Sequence, residues 1–128
     1  MAASRTYGVL DVALALVHGL IGFAVAPSRS MAFNLIFAVV IALELSAGVA
    51  LLLDVRGSRR LALVQSLVML AFSATVIVLL VASAAYLRGV YGALGQGMAV
   101  LALVAAALVI ELMALVPLFQ LRFLLRER

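Results

Sequence analysis

Long apolar runs, broken by short arginine-bearing connections, constrain this chain more than any other feature. A helix rises about 1.5 Å per residue and the hydrocarbon of a bilayer is about 30 Å thick, so one crossing takes about 20 such residues. The runs have that length. With 69% of its 128 residues hydrophobic and 11% charged, the chain carries more apolar surface than a soluble domain of its size can bury. Lipid is the solvent it suits.

The runs predict an all-α fold, a single four-helix transmembrane domain over residues 1–128 with helices at about 6–26, 31–53, 61–87 and 98–121. Strands are excluded because no run alternates with period 2 and a barrel needs many more of them. The first run ends at Ala24-Val25-Ala26 and is followed by Pro27-Ser28-Arg29-Ser30. It mimics a signal peptide, but proline stands where the new N-terminus would lie, so the segment is expected to be retained. The second and third runs are joined by the polar loop Asp54-Val55-Arg56-Gly57-Ser58-Arg59-Arg60. Gly89, Gly92, Gly95 and Gly97 favour a bend before the fourth run, and Pro117 is expected to kink that helix by removing the bond to the carbonyl of Met113.

All nine basic residues are arginine, against five acidic ones. Arg5, Arg56, Arg59, Arg60, Arg122, Arg126 and Arg128 fall on one side of the expected bundle, and Arg29 and Arg88 on the other. Basic residues accumulate on the cytoplasmic side, so both termini and the middle loop are expected there, in a bacterial-type cytoplasmic (inner) membrane. The positive charge therefore reports topology and implies no nucleic-acid partner. Cysteine is absent, which excludes thiol redox chemistry and thiolate metal sites in this chain acting alone.

Ionisable residues within spans are costly and usually face the bundle interior, so they are the first candidates for function. They are Asp11, His18, Glu44 and Glu111. Counted from the expected cytoplasmic ends, His18, Glu44 and Glu111 lie roughly 15 to 18 Å deep, near the midplane, where they are candidates for binding a proton or ion. Asp11 and Gln65 share a level near about 8 Å and form a second candidate pair. Asp11, Ala15, His18 and Gly22 follow a 4-3-4 spacing along one narrow face, while Ala42, Ser46 and Ala50 make a small-residue strip suited to close helix contact. Structural hydrogen bonding for the polar groups, packing for the strips, and a packing kink rather than a gate at Pro117 stand beside these readings. No nucleotide loop, HExxH pair or exposed Ser/His/Asp set is present, so no catalytic residues and no metal site are expected.

The stretch Glu44-Leu45-Ser46-Ala47-Gly48-Val49-Ala50-Leu51-Leu52-Leu53, with the basic loop and Arg60-Leu61-Ala62-Leu63 after it, resembles the second-helix signature of the DoxX-like four-helix family. His18-Gly19 is similar to that family's H-G or A-G step near the end of the first helix. The resemblance covers about half the chain, from helix I to early helix III. The lysine often found after the first helix is missing, with Pro27-Ser28-Arg29 in its place, and Glu111 and Pro117 match no family feature. The resemblance implies a membrane subunit of oxidoreductase systems, including quinone-linked thiosulfate oxidation and oxidative-stress complexes, generally without defined catalytic residues. Glu44 is the one position it carries over, with no assigned role.

Two functions follow as expectations. One is a non-catalytic membrane subunit or scaffold that assembles with other membrane proteins or with itself. The alternative is a homo-oligomeric proton or cation channel or transporter using His18, Glu44 and Glu111. No cofactor is expected, although His18 leaves haem or quinone open. The small multidrug transporters share the helix number and a carboxylate in the first helix, but Asp11 lies too near the membrane edge, and the aromatics such a site wants are lacking.

Overall fold

A computed structural model describes residues 2–25 and 30–126. The expected end of the first helix at Ala26 and the Pro27-Ser28-Arg29 segment lie outside the described residues. The elements are α1 (Ala2–Gly19), which continues as a π turn over Leu20–Val25; α2 (Met31–Leu52); α3 (Ser58–Val109); a second π turn at Ile110–Ala114; and α4 (Leu115–Arg126). Among the described residues there is no strand. Among the described residues three helices are long and apolar enough to cross a membrane: Ser4–Ala24, Met31–Leu52 and Ser58–Val109.

Local chemistry sets the helix ends. Ser30 caps α2, its hydroxyl oxygen accepting from the Phe33 amide at 3.3 Å, which satisfies one of the donors a helix start leaves open. At the other end Asp54 turns into the left-handed region at φ 51, the Val55 amide donates to the Ala50 carbonyl at 3.1 Å, and that of Asp54 to Leu51 at 3.4 Å. This is a Schellman closure with aspartate where glycine is usual. In α3 the helical path breaks at Gly92 (φ 56, ψ −127), a conformation that a residue with a side chain rarely adopts. A Cβ on Gly95 would run into the backbone carbonyl of Leu87, so the chain doubles back tightly there. The bend expected in the glycine-rich stretch thus falls at Gly92, and α3 is two helical arms under one span of residues. Near Pro117 the winding is displaced as well. The Leu115 amide donates to the Ile110 carbonyl, five residues back, in the π turn that precedes the proline.

The chain forms two compact units, residues 1–68 with 120–128, and residues 69–119. In the first, α1 and α2 run against each other with almost no side chain between them at Gly8 and Gly48. A Cβ on Gly48 would lie 2.9 Å from the Gly8 carbonyl oxygen and 2.9 Å from the Asp11 Cβ. Leu51, Ala62 and Leu124 form a buried cluster with Tyr7, Leu63 and Phe123 around it, and the Tyr7 and Phe123 rings lie 5.2 Å apart. The start of α1, the end of α2, the start of α3 and the end of α4 therefore meet at one place. In the second unit the α3 arms face each other, with Val81, Ala84 and Arg88 opposite Gln96, Ala99 and Leu103.

The inward stripe of α2 is Phe37, Val40, Glu44, Ala47, Gly48 and Leu51. The expected strip of Ala42, Ser46 and Ala50 lies off this stripe: Ala42 and Ser46 are exposed and Ala50 is half-buried. A helix apolar on every side has no hydrophobic phase to read, and burying the Glu44 carboxyl turns the strip outward. On α1, Ala15 is buried and Gly22 half-buried, where a Cβ would run into the Phe37 ring.

Candidate functional site

The first unit reverses the arrangement of a soluble protein. Leu16, Leu20, Leu35 and Val39 are exposed, while Asp11, Glu44, Gln65 and Gln120 are 0% exposed and His18 3%. Burying polar groups without partners costs free energy, so the bonds among them are informative.

His18 Nδ1 lies 2.8 Å from Glu44 Oε2, both side chains buried. The bond needs a proton on Nδ1 when Glu44 is ionised, which fixes either the neutral Nδ1–H tautomer or the imidazolium. Two turns toward the chain start, Asp11 Oδ2 accepts from Gln120 Nε2 at 2.8 Å. Asp11 packs against Gly48, four residues from Glu44, and the two carboxyls are within electrostatic reach of each other. Asp11, Gln120, Glu44 and His18 thus follow one another along the α1–α2 face, two bonded pairs end to end.

Gln65 does not partner Asp11. It is buried in the same unit, its Oε1 3.3 Å from Ser66 Oγ, whose hydroxyl also donates to the Ala62 carbonyl at 2.8 Å. Shared depth fits both glutamines to Asp11. Gln120 takes the place because α4 continues to Arg126, which sets it more than a turn inside its helix. The sequence places the end of the membrane span at about 121 with the helix running on through Arg126 into the interface, and Gln120 was overlooked; its depth was the available signal.

The bonded pair His18–Glu44 belongs to the first unit, and the third member of the expected trio, Glu111, does not. It lies in the second unit, exposed, in the π turn Ile110–Ala114. The extra residue of a π turn shifts the phase of the helix beyond it, so counting at 3.6 residues per turn misplaces which way Glu111 faces. Pro117 is buried in that unit. Among the described residues no three His, Asp or Glu side chains converge as metal ligands would. His18 Nε2, the atom through which a haem or quinone would be met, is enclosed by protein.

No family profile, curated protein or solved structure matches the chain. The site's chemistry therefore rests on its own geometry: a buried acid–imidazole pair beside a second carboxyl held by an amide, a set able to hold and exchange protons.

Proposed function

We propose that this chain is a small non-catalytic subunit of a bacterial-type cytoplasmic membrane, a DoxX-like four-span protein with both termini in the cytoplasm that assembles with membrane proteins, such as those of an oxidoreductase system, or with copies of itself. The observation that carries this reading is the inverted packing, with buried carboxyl, imidazole and amide groups inside an apolar exterior. Four crossings are supported by α3, whose 52 residues are more than twice what one span needs and are broken at Gly92. The meeting of Tyr7, Leu51, Ala62 and Leu124 supports an up-down-up-down course that returns both termini to one side. An outward apolar groove between α1 and α2, lined by Leu16, Leu20, Phe23, Ile41 and Leu45, suits a partner helix. Extraction in polymer-bounded native discs followed by native mass spectrometry tests assembly. A fixed stoichiometry with a partner or with itself is expected, and a lone chain under all conditions contradicts it.

The His18–Glu44 bond favours a second reading, proton or cation transport. Pure protein in liposomes is then expected to carry flux that Glu44→Gln abolishes. Equal flux in wild type and variant removes this reading.

A further inference from the structure

The polar strip leaves particular atoms without protein partners: Asp11 Oδ1, Gln120 Oε1, Glu44 Oε1 and His18 Nε2, all buried. Each belongs to a side chain whose other polar atom is already bonded within the strip. The orphans are thus the far sides of the two pairs; with both carboxyls ionised three of them can only accept, and His18 Nε2 accepts as well in the neutral Nδ1–H tautomer. A buried carboxylate oxygen without a donor is among the costlier arrangements in a protein, and here there are two on neighbouring turns.

Their spacing suggests what satisfies them. Asp11 packs on Gly48 and Glu44 lies one helical turn away, a rise of about 5.4 Å. Two hydrogen bonds of about 2.8 Å in series cover about the same distance. On the α1 stripe between Asp11 and His18 stands Ala15, buried and carrying only a methyl group. A water molecule, with two hydrogens to donate and two or more polar partners to meet, fits such a place.

We infer that an internal water bridges Asp11 Oδ1 and Glu44 Oε1 and joins the two bonded pairs into one hydrogen-bonded chain, Gln120–Asp11–water–Glu44–His18. With both carboxyls ionised the water donates one hydrogen to each. With Asp11 protonated, the Oδ1–H bond breaks toward the water oxygen while one water O–H bond breaks toward Glu44 Oε1. The water keeps two hydrogens and one proton has moved from Asp11 to Glu44, beside the imidazole. The movement of protons rests on the transport reading; the water site does not.

The test is water-edited solid-state NMR on the full chain in lipid bilayers, reading magnetisation transfer from water to the Asp11 and Glu44 carboxyl carbons. Asp54, in an exposed turn, and Leu20, on the apolar exterior, are the internal references. The expected result is transfer to Asp11 and Glu44 as fast as to Asp54, falling to the Leu20 rate in Ala15→Val, which adds two methyl groups to the buried stripe between Asp11 and His18. If Ala15→Val does not assemble, the wild-type rates decide. Transfer in the wild type no faster than at Leu20 overturns the inference, and so does fast transfer that a folded Ala15→Val leaves unchanged. Flux measured on the same preparation separates the two ideas. Fast transfer without flux upholds the water site and removes transport, whereas flux with slow transfer removes the water site alone.

Discussion

Gly48→Ala tests the close approach of α1 and α2 that sets the polar strip in place. The added Cβ would lie 2.9 Å from the Asp11 Cβ, 2.9 Å from the Gly8 carbonyl oxygen and 3.0 Å from Val12 Cγ2. Carbon atoms rest about 3.5 to 4.0 Å apart, so the overlap is about 0.5 to 1 Å against the two carbons, the oxygen is also too close, and the Gly8 carbonyl and the Asp11 Cβ cannot swing away. α1 must retreat, and overpacking of this kind costs about 1–3 kcal/mol. Alanine also favours a helix over glycine by about 1 kcal/mol, which partly hides the clash. Gly19→Ala gains the same propensity with nothing within 4 Å of its new Cβ. The difference between the two variants isolates the steric term, so Gly48→Ala is expected to be less stable than Gly19→Ala by about 1–3 kcal/mol. Reversible unfolding in mixed micelles by SDS titration measures it. Equal stability of the two variants would refute the close approach at Gly48.

Other variants probe the remaining contacts. Glu44→Leu strands the His18 Nδ1 donor, whereas Glu44→Gln keeps an acceptor for it, so the leucine variant is expected to unfold with a further loss of about 1–3 kcal/mol. Gln120→Leu removes the donor to Asp11 and is expected to cost about 1–3 kcal/mol in the same titration; no change would argue that Asp11 is held otherwise. Gly92→Ala forces a side chain into φ 56, ψ −127, with an expected loss of about 1–3 kcal/mol. Asp54→Gly relieves the left-handed residue closing α2 and is expected to stabilise by about 0.5–1 kcal/mol, read as a rise in thermal midpoint.

Much of this architecture is legible in the chain because long apolar runs and their polar breaks set where helices start and stop. Apolar length locates the helices, and glycine and proline mark the irregular points, Gly92 and the π turn before Pro117. Depth counting puts His18 and Glu44 at one level, and they are bonded. Rotational phase is far less legible. α2 is apolar all round, so the inward stripe containing Ala47 and Gly48 cannot be told from the outward one containing Ala42 and Ser46 until the neighbours are known. The Asp11–Gln120 bond joins residues 109 apart in sequence, and nothing local distinguishes Gln120 from Gln65 as the partner. At Glu111 the regular repeat itself fails, because a π turn changes the count.

The most direct test of the membrane architecture exploits the absence of native cysteine. Single substitutions Ser4→Cys, Val55→Cys, Gly97→Cys and Leu125→Cys place a lone thiol near each terminus, in the turn after α2 and beyond the Gly92 break. A membrane-impermeant maleimide applied to intact cells should label Gly97→Cys alone, with the other three reacting after permeabilisation. Labelling of Leu125→Cys from outside while Ser4→Cys stays protected would mean an odd number of crossings and would contradict the four-span topology.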